Sequence, residues 1–188
     1  MTSLTQICTV YDPKPFKHSK GAYGQEHVWR LERMVAEYVS VPYKFNVIES
    51  DKPGWWGKID LFKKPGRIFY MDLSVAIIGN IDRLIQEIGA FTACRDFVSP
   101  DTLNSKVMSW DGDYTHVYKK FKKHHVDEYT SAGKWGDQAF IDHNVGDRRY
   151  FQDLFPNSVV SYKLGKVSDD TRIIGFHGKP KPEDTEYW

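Results

Sequence analysis

The hydrophobic positions along the chain change repeatedly between the spacing of a strand and the spacing of a helix. Apolar side chains recur every three or four residues over 28–39, with charged residues on the rim, and this pattern predicts an amphipathic helix that Pro42 ends. Shorter apolar runs predict strands at 7–11 and 43–48. The first half of the chain therefore begins as strand, helix, strand.

The same alternation continues after the turn-like segment 51–54. We predict a short helix at 55–62, a strand at 68–71 that runs into Asp72, and another apolar segment at 75–78. Asn80 is placed to cap a helix over 81–88 that Gly89 ends. The remaining elements are predicted as strands at 91–94, 107–110, 159–162 and 172–176, and helices at 114–121 and 138–141.

Strands that alternate with helices are typical of the α/β class, in which a mostly parallel sheet is flanked by helices on both faces. No repeat or linker divides the chain. We therefore expect residues 1–188 to form a single domain, with 180–188 as a polar C-terminal tail.

Composition narrows the function classes only slightly. The chain has 26 basic and 25 acidic side chains, so no global field favours nucleic acid or an anionic membrane. Cys8 and Cys94 fall in separate apolar strands, which argues against a disulfide framework or a cysteine zinc site. The N-terminal residues resemble no secretory signal, and no segment is apolar for long enough to span a bilayer. We expect a cytoplasmic protein.

Asp72 is the first residue that suggests chemistry. It directly follows an apolar strand, and ligands of α/β proteins bind at the carboxyl ends of the strands. A carboxylate there can bind a hard divalent cation or a ribose hydroxyl, although a lone aspartate after a strand also serves as a turn or cap residue. Ser74, two residues further along an extended segment, would point the same way.

The segments around Asp72 resemble the core of glycosyltransferases with the GT-A fold. The order of 58–62, 66–74 and 78–84 is similar to the lysine helix, the strand ending in Asp-x-Asp and the Asn-Ile/Leu-Asp-x-Leu segment of the glycogenin-like and lipopolysaccharide-galactosyltransferase-like retaining enzymes, which form a family 8-like group. Further matches follow in the family's order at 28–35, 41–45, 95–97, 104–108, 137–138, 161–163 and 176–182. The resemblance covers residues 7–182.

This resemblance implies a role for each matching residue. Asp72 and His177 would hold Mn²⁺ or Mg²⁺ against the donor diphosphate. Catalytic groups beneath the anomeric carbon would be Asp137 and Gln138. The residues that would bind the nucleotide-sugar donor are Thr9, Tyr11, Lys58, Asp72, Ser74, Arg95, Asp96, Asn104, Ser105 and Lys179. Each of these residues also has an interpretation that involves no ligand. Taken alone, Lys58 and Lys179 are ordinary surface lysines, and His177 is a polar residue with its hydrogen bonds satisfied. Asp137 is an acidic residue that stabilises the N-terminus of a helix.

Two positions depart from the family's pattern. Ser74 stands where the second aspartate of Asp-x-Asp is usual, and Lys106 stands where Asn-Ser-Gly has glycine. Metal binding could persist through Asp72, His177 and the donor phosphates, or it could be lost, with Lys58, Arg95 and Lys179 neutralising the diphosphate. These positions leave two functions open, a retaining glycosyltransferase with a nucleotide-diphosphate sugar donor and a hydroxyl acceptor, and a degenerate sugar-nucleotide-binding module without turnover.

One local concentration of positive charge remains. The segment 119–125 contains four lysines and two histidines, and Phe121 within it continues the apolar spacing of Tyr114, Val117 and Tyr118 in the predicted helix 114–121. This pattern is typical of a solvated helix face. It also fits a phosphate-contacting patch, which leaves hydroxymethylated DNA bases as an alternative to a saccharide acceptor.

Overall fold

The computed structural model describes residues 4–11, 23–131 and 134–188. Within these residues the strands are β1 (Thr5–Tyr11), β2 (Tyr43–Glu49), β3 (Gly66–Met71), β4 (Val75–Ile77), β5 (Thr92–Arg95), β6 (Leu103–Gly112), β7 (Arg149–Tyr150), β8 (Val159–Ser161) and β9 (Ile173–Gly175). The α-helices are α1 (Gln25–Tyr38), α2 (Asp82–Gln86), α3 (Thr115–Lys120), α4 (His125–Thr130), α5 (Asp137–Asn144) and α6 (Phe151–Leu154). A long 3₁₀ helix spans Gly54–Lys63, and a short one spans Pro182–Asp184. Within the described ranges no helix combines the length and the apolar character needed to cross a bilayer.

The central sheet has six strands in the order β2-β1-β3-β6-β5-β7. Strand β1 is parallel to both of its neighbours, and β7 is parallel to β5. Strand β6 is antiparallel to both β3 and β5, so it alone runs against the other five. The predicted α/β class with a mostly parallel sheet is confirmed. A second sheet of three strands has the order β4-β9-β8.

Each face of the central sheet carries its own hydrophobic core. Along β3, Phe69 and Met71 pack with α1, α2 and the small sheet, whereas Ile68 and Tyr70 pack with the long 3₁₀ helix, α3 and α5. Successive strand side chains point to opposite faces, so a strand buried on both faces reads as a continuous apolar run. The helices therefore flank the sheet on both faces, as predicted.

The prediction around Asn80 was wrong in detail. Helix α2 begins at Asp82 and ends at Gln86, so Asn80 does not cap it and Gly89 does not end it. Asn80 Oδ1 instead accepts a hydrogen bond from the Asp82 N–H at 3.0 Å, which forms a local turn. The Gly89 carbonyl accepts from the Asp111 N–H at 2.8 Å and so joins this segment to the sheet.

The C-terminal segment packs against α1. The Trp188 ring lies 4.9 Å from the His27 ring and beneath the Arg30 guanidinium, 5.1 Å away. Arg30 is buried and donates hydrogen bonds to the carbonyl oxygens of Tyr187, Leu73 and Val75 at 3.3, 2.9 and 2.6 Å. One side chain thus anchors both the C-terminal segment and the loop that follows β3.

Candidate functional site

Polar side chains gather at one edge of the central sheet because of its strand directions. Asp72 follows β3 and Asp96 follows β5, and these two strands are parallel. Since β6 runs the opposite way, its first residues reach the same edge. This edge borders a cavity of about 610 Å³. The residues predicted as site residues that line it are Lys58, Asp72, Ser74, Asp96, Asn104, Ser105, Asp137, Gln138 and His177.

Lys58 forms the centre of a buried ionic cluster. Its Nζ lies 3.2 Å from Asp72 Oδ2 and 3.1 Å from Asp137 Oδ2, and it donates to Ser105 Oγ at 3.1 Å. Ser105 Oγ in turn donates to Asp137 Oδ2 at 2.9 Å. Burial opposes a charged Lys58, but attraction to Asp137 and Asp72 is stronger and raises the pKa of Lys58. The long 3₁₀ helix thereby places a fixed positive charge between two carboxylates from different elements.

Asp137 is the first residue of α5 and is buried. Burial raises the pKa of its carboxyl group, and Lys58 and Ser105 offset only part of that effect. The preceding Gly136 has a φ of 62°, and a Cβ atom there would lie 2.7 Å from Trp55 Nε1. Glycine is therefore needed at position 136 both for the backbone conformation and for the close approach of Trp55.

Asp96 organises the polar residues on the other side of the cavity. Its Oδ2 accepts hydrogen bonds from Asn104 Nδ2 at 2.9 Å and Gln138 Nε2 at 3.0 Å, while its Oδ1 accepts from the N–H groups of Val98 and Ser99. Burial alone would raise the pKa of Asp96, but these donors lower it. The two amide side chains are thus held in fixed positions at the cavity wall.

Ser74 lies in a turn and not on an extended segment. The Val75 N–H donates to the Asp72 carbonyl at 3.1 Å, and Asp72 Oδ1 accepts from both the N–H and the hydroxyl of Ser74 at 2.9 and 2.5 Å. The Lys106 ammonium donates to Ser74 Oγ at 2.8 Å. Burial would raise the pKa of Asp72, but Lys58, Lys106 and the Ser74 hydrogen bonds hold it well below its usual range. Ser74 therefore links Asp72 to Lys106.

The arrangement around Asp72 does not fit a divalent cation. Its Oδ1 is engaged by Ser74, and its Oδ2 lies within reach of Lys58 and of the Tyr70 hydroxyl, which donates at 3.3 Å. A divalent ion about 4 Å from the Lys106 ammonium would be repelled by roughly 8 kcal/mol at an effective dielectric constant of about 20.

His177 also has another partner. Its Nε2 lies 2.9 Å from Ser161 Oγ, and its ring stacks on Phe97 with centroids 6.0 Å apart. Burial, together with Lys106 and Lys163, lowers the pKa of His177. Among the described residues, three side chains of metal-ligand type do converge, at His124, His125 and Glu128, and none of the three lines the cavity.

Four residues predicted for the donor site do not line the cavity. Thr9 and Tyr11 lie within β1 and not after it, and the pleat turns Val10 toward the cavity in their place. Arg95 is paired with Asp153 at 2.7 Å and lies over the Tyr150 ring at 4.1 Å. Lys179 is largely exposed and lies 3.4 Å from Asp184.

Other residues at the cavity were missed by the sequence interpretation. Lys181 lines the wall and donates to the Tyr23 hydroxyl at 2.8 Å. Lys134 and Trp135 also line the cavity, and Trp135 is 57% exposed. Lys181 lies in the matched segment 176–182, so its lysines were the available signal, but their spacing could not show which one faces inward.

The solved structures that superpose on this chain include glycosyltransferases. The galactosyltransferase LgtC, in a complex with donor and acceptor sugar analogues, superposes with a TM-score of 0.62 at 11% identity, over 97% of this chain and 91% of that one. A glycosyltransferase involved in the glycosylation of the major capsid of PBCV-1 superposes with a TM-score of 0.55 at 12% identity, over 92% and 93%. The chain has the GT-A glycosyltransferase fold.

A third protein with the GT-A fold is larger than this chain. The glycosyltransferase GlyE of Streptococcus pneumoniae TIGR4 superposes with a TM-score of 0.57 at 11% identity, over 100% of this chain but only 58% of its own length. No protein-family profile and no curated protein sequence matches the chain. At these identities the likeness establishes the GT-A fold, and it confirms the resemblance seen in the sequence at that level.

Proposed function

We propose that this protein transfers a sugar from a nucleoside diphosphate donor to a hydroxyl acceptor. In this reaction the bond between the anomeric carbon and the diphosphate oxygen breaks, and its electron pair leaves with the nucleoside diphosphate. The acceptor oxygen forms the new bond to the anomeric carbon and releases its proton. Charge therefore develops at two places, a negative charge on the leaving diphosphate and a positive charge on the sugar ring.

The observation that carries this proposal is the cluster of Lys58, Asp72 and Asp137 in the cavity at the carboxyl ends of the strands. Ligand sites of α/β proteins occur at this edge, and a cavity of about 610 Å³ is in the size range of small-molecule sites. Asp137 supplies a buried carboxylate, while Lys106 and Lys181 supply positive charge to the lining of the same cavity. The site thus offers both signs of charge that the reaction requires.

The individual roles follow from these positions. We assign the carboxylate of Asp137 and the amide of Gln138 to the anomeric carbon, where they would stabilise oxocarbenium-like charge and, as the family resemblance implies, favour retention. Asn104 and Asp96 are assigned to the sugar hydroxyls, since both carry hydrogen-bonding groups at the cavity wall. Lys58 is assigned to the orientation of Asp72 and Asp137.

We propose a saccharide as the acceptor. The exposed indole of Trp135 lies at the cavity wall, and aromatic side chains offer an apolar face together with a polar edge for such ligands. The lysines of the basic segment 119–125 are exposed, and no described residue of that segment lines the cavity. No observation favours modified DNA as the acceptor.

The proposal also covers the need for a divalent metal ion and the cellular compartment of the protein. The resemblance assigns Mn²⁺ or Mg²⁺ to Asp72 and His177, but the contacts of Asp72 do not fit such an ion. Cys8 and Cys94 are free and buried, in keeping with a reducing cytoplasm where nucleotide-sugars are made, and burial raises the pKa of both thiols to about 12.

A panel of nucleoside diphosphate sugars tests the proposal. We expect at least one of them to raise the melting temperature and to be hydrolysed slowly in the absence of acceptor. Asp137→Asn should retain the thermal shift and lose hydrolysis, while the exposed control Lys179→Gln should retain both. A thermal shift without hydrolysis in the wild type would identify a binding module, and the absence of both would refute the proposal.

A further inference from the structure

We propose that the Lys106 ammonium group takes the place of a divalent cation and neutralises the donor diphosphate, so that this chain binds nucleoside diphosphates without metal. This inference rests on the proposed function, and it explains how the same site neutralises the negative charge of its ligand.

The two departures from the family's sequence pattern contact each other. Ser74 and Lys106 are 32 residues apart in the chain, yet Lys106 Nζ donates to Ser74 Oγ at 2.8 Å. The register of β3 and β6 brings them together, because the Asp72 N–H donates to the Lys106 carbonyl at 2.8 Å directly beyond the last ladder pair. Relative to the family's pattern, Ser74 therefore removes a negative charge and Lys106 adds a positive charge at the same point of the site.

The net charge at this point is conserved by the exchange. A carboxylate that binds a divalent ion leaves one positive charge, and a serine beside a lysine ammonium also leaves one positive charge. Lysine is an established ligand for phosphate groups and acts there as a point charge. The pair of Ser74 and Lys106 thus reproduces the charge of an occupied metal site with side chains alone.

The Lys106 ammonium lacks an anion of its own. Its described hydrogen-bond partner is the neutral Ser74 hydroxyl, and within the described ranges no carboxylate lies within 4.0 Å of its Nζ. Burial lowers the pKa of Lys106, and the nearby Lys58 and Lys181 lower it further, while Asp72 offsets part of this. An anionic ligand would restore the balance.

Lys181 extends the positive wall. Its amine donates to the neutral Tyr23 hydroxyl at 2.8 Å and has no carboxylate within ion-pair distance among the residues described. Both Lys106 and Lys181 line the same cavity as Asp137. A diphosphate between the two amines would lie beside the groups that we assign to the sugar.

Calorimetric titration tests the inference with inorganic pyrophosphate, ADP, CDP, GDP and UDP as probes, each in EDTA and in Mn²⁺. We expect the wild-type affinity for the best probe to agree within about threefold between the two conditions. In EDTA, Lys106→Gln should lower that affinity about ten- to a hundredfold, as expected for the loss of one charge-assisted contact. Lys106→Arg should keep it within about threefold, and the exposed control Lys179→Gln should leave it unchanged.

A second variant recreates the family's pattern. In Ser74→Asp/Lys106→Gly the carboxylate returns and the ammonium is removed, so Mn²⁺ should raise the affinity for the same probe at least about tenfold over EDTA. Circular dichroism and melting temperature verify that each variant is folded. If Lys106→Gln does not fold, the comparison of the wild type with this double variant decides the matter.

The outcomes separate the inference from the proposed function. Wild-type binding that requires Mn²⁺, or a folded Lys106→Gln that binds as the wild type does, would overturn the inference and leave glycosyl transfer standing. Pyrophosphate binding that depends on Lys106, with no hydrolysis of any nucleotide-sugar, would support the inference and refute the proposed function. Failure of every probe to bind would overturn both.

Discussion

Lys58 and Asp60 lie two residues apart on the same 3₁₀ helix, and both are buried ions, but their surroundings differ. The Asp60 carboxylate is enclosed by Lys52, Lys63 and the Ser50 hydroxyl, and it does not line the cavity. The cluster around Lys58 opens onto the cavity and shares one ammonium between two carboxylates. The first arrangement lies away from the cavity, and the second lines it.

This difference separates a structural ion pair from a candidate site. Every oxygen of Asp60 has a partner, and Lys52 and Lys63 also lie over the Tyr118 ring at 5.1 and 5.6 Å. Around Asp72, the neighbouring amines Lys106 and Lys181 have only neutral described partners. The excess positive charge lies on the cavity side alone. Substitutions in the cluster around Lys58 and in the cluster around Asp60 should therefore affect different properties.

The largest effect is expected on turnover. Asp72→Asn should lower kcat/KM about a hundred- to a thousandfold, because the amide cannot hold Lys58 and Ser74 as the carboxylate does. The melting temperature should change less than in Asp60→Ala, since asparagine keeps the size of the side chain and Lys58 keeps Asp137 as its partner. Steady-state kinetics on the best nucleotide-sugar, together with calorimetry, measure both. A folded variant with wild-type kcat/KM would remove Asp72 from the site.

Asp60→Ala should show the reverse behaviour. Removal of one partner from a buried ion pair costs about 3–5 kcal/mol, so the free energy of unfolding should fall by about that amount in urea titrations. Because Asp60 lies outside the cavity, kcat/KM of the folded fraction should stay within about twofold of the wild type. A large loss of kcat/KM with unchanged stability would show that the two clusters act as one.

The pH dependence of stability should locate the Asp60 contribution. Burial opposes its ionisation, but Lys52, Ser50 and Lys63 lower the pKa of Asp60 below the usual 3.8. A lowered folded-state pKa stabilises the protein above the unfolded-state pKa, and this contribution is lost as the pH falls through the folded-state value. The stability difference between the wild type and Asp60→Asn should be constant above about pH 5 and shrink below about pH 4. A difference that grows on acidification would contradict this.

The smallest effects concern the two lysines of the C-terminal loop. Lys181→Ala should weaken nucleoside diphosphate binding about five- to tenfold, because its amine borders the cavity. Lys179→Ala should change binding less than twofold, since that amine is exposed and paired with Asp184. Parallel calorimetric titrations with a nucleoside and its diphosphate measure both. Equal losses in the two variants would mean that the loop adopts another arrangement when ligand binds.

The sequence predicted the features that depend on local patterns. Apolar spacing was sufficient for α1 and for the strand that precedes Asp72, and the position after that strand was sufficient to place Asp72 at the edge of the sheet that borders the cavity. The contact between Ser74 and Lys106 depends on the register of β3 and β6, which no local pattern specifies. Thr9 was expected at the donor site, but it lies within β1, where successive side chains point to opposite faces and Val10 is the residue that lines the cavity.

Because of Arg30, the candidate site can form only when segments that are far apart in the sequence have come together. Its hydrogen bonds to Leu73 and Val75 join residues about 45 positions apart, but its bond to Tyr187 closes a separation of 157 residues. During synthesis from the N-terminus, α1 and β3 emerge long before Tyr187 does. The loop that carries Asp72 and Ser74 therefore shares its anchor with a segment that arrives late. The edge of the sheet that borders the cavity should therefore be among the last parts of the molecule to become rigid.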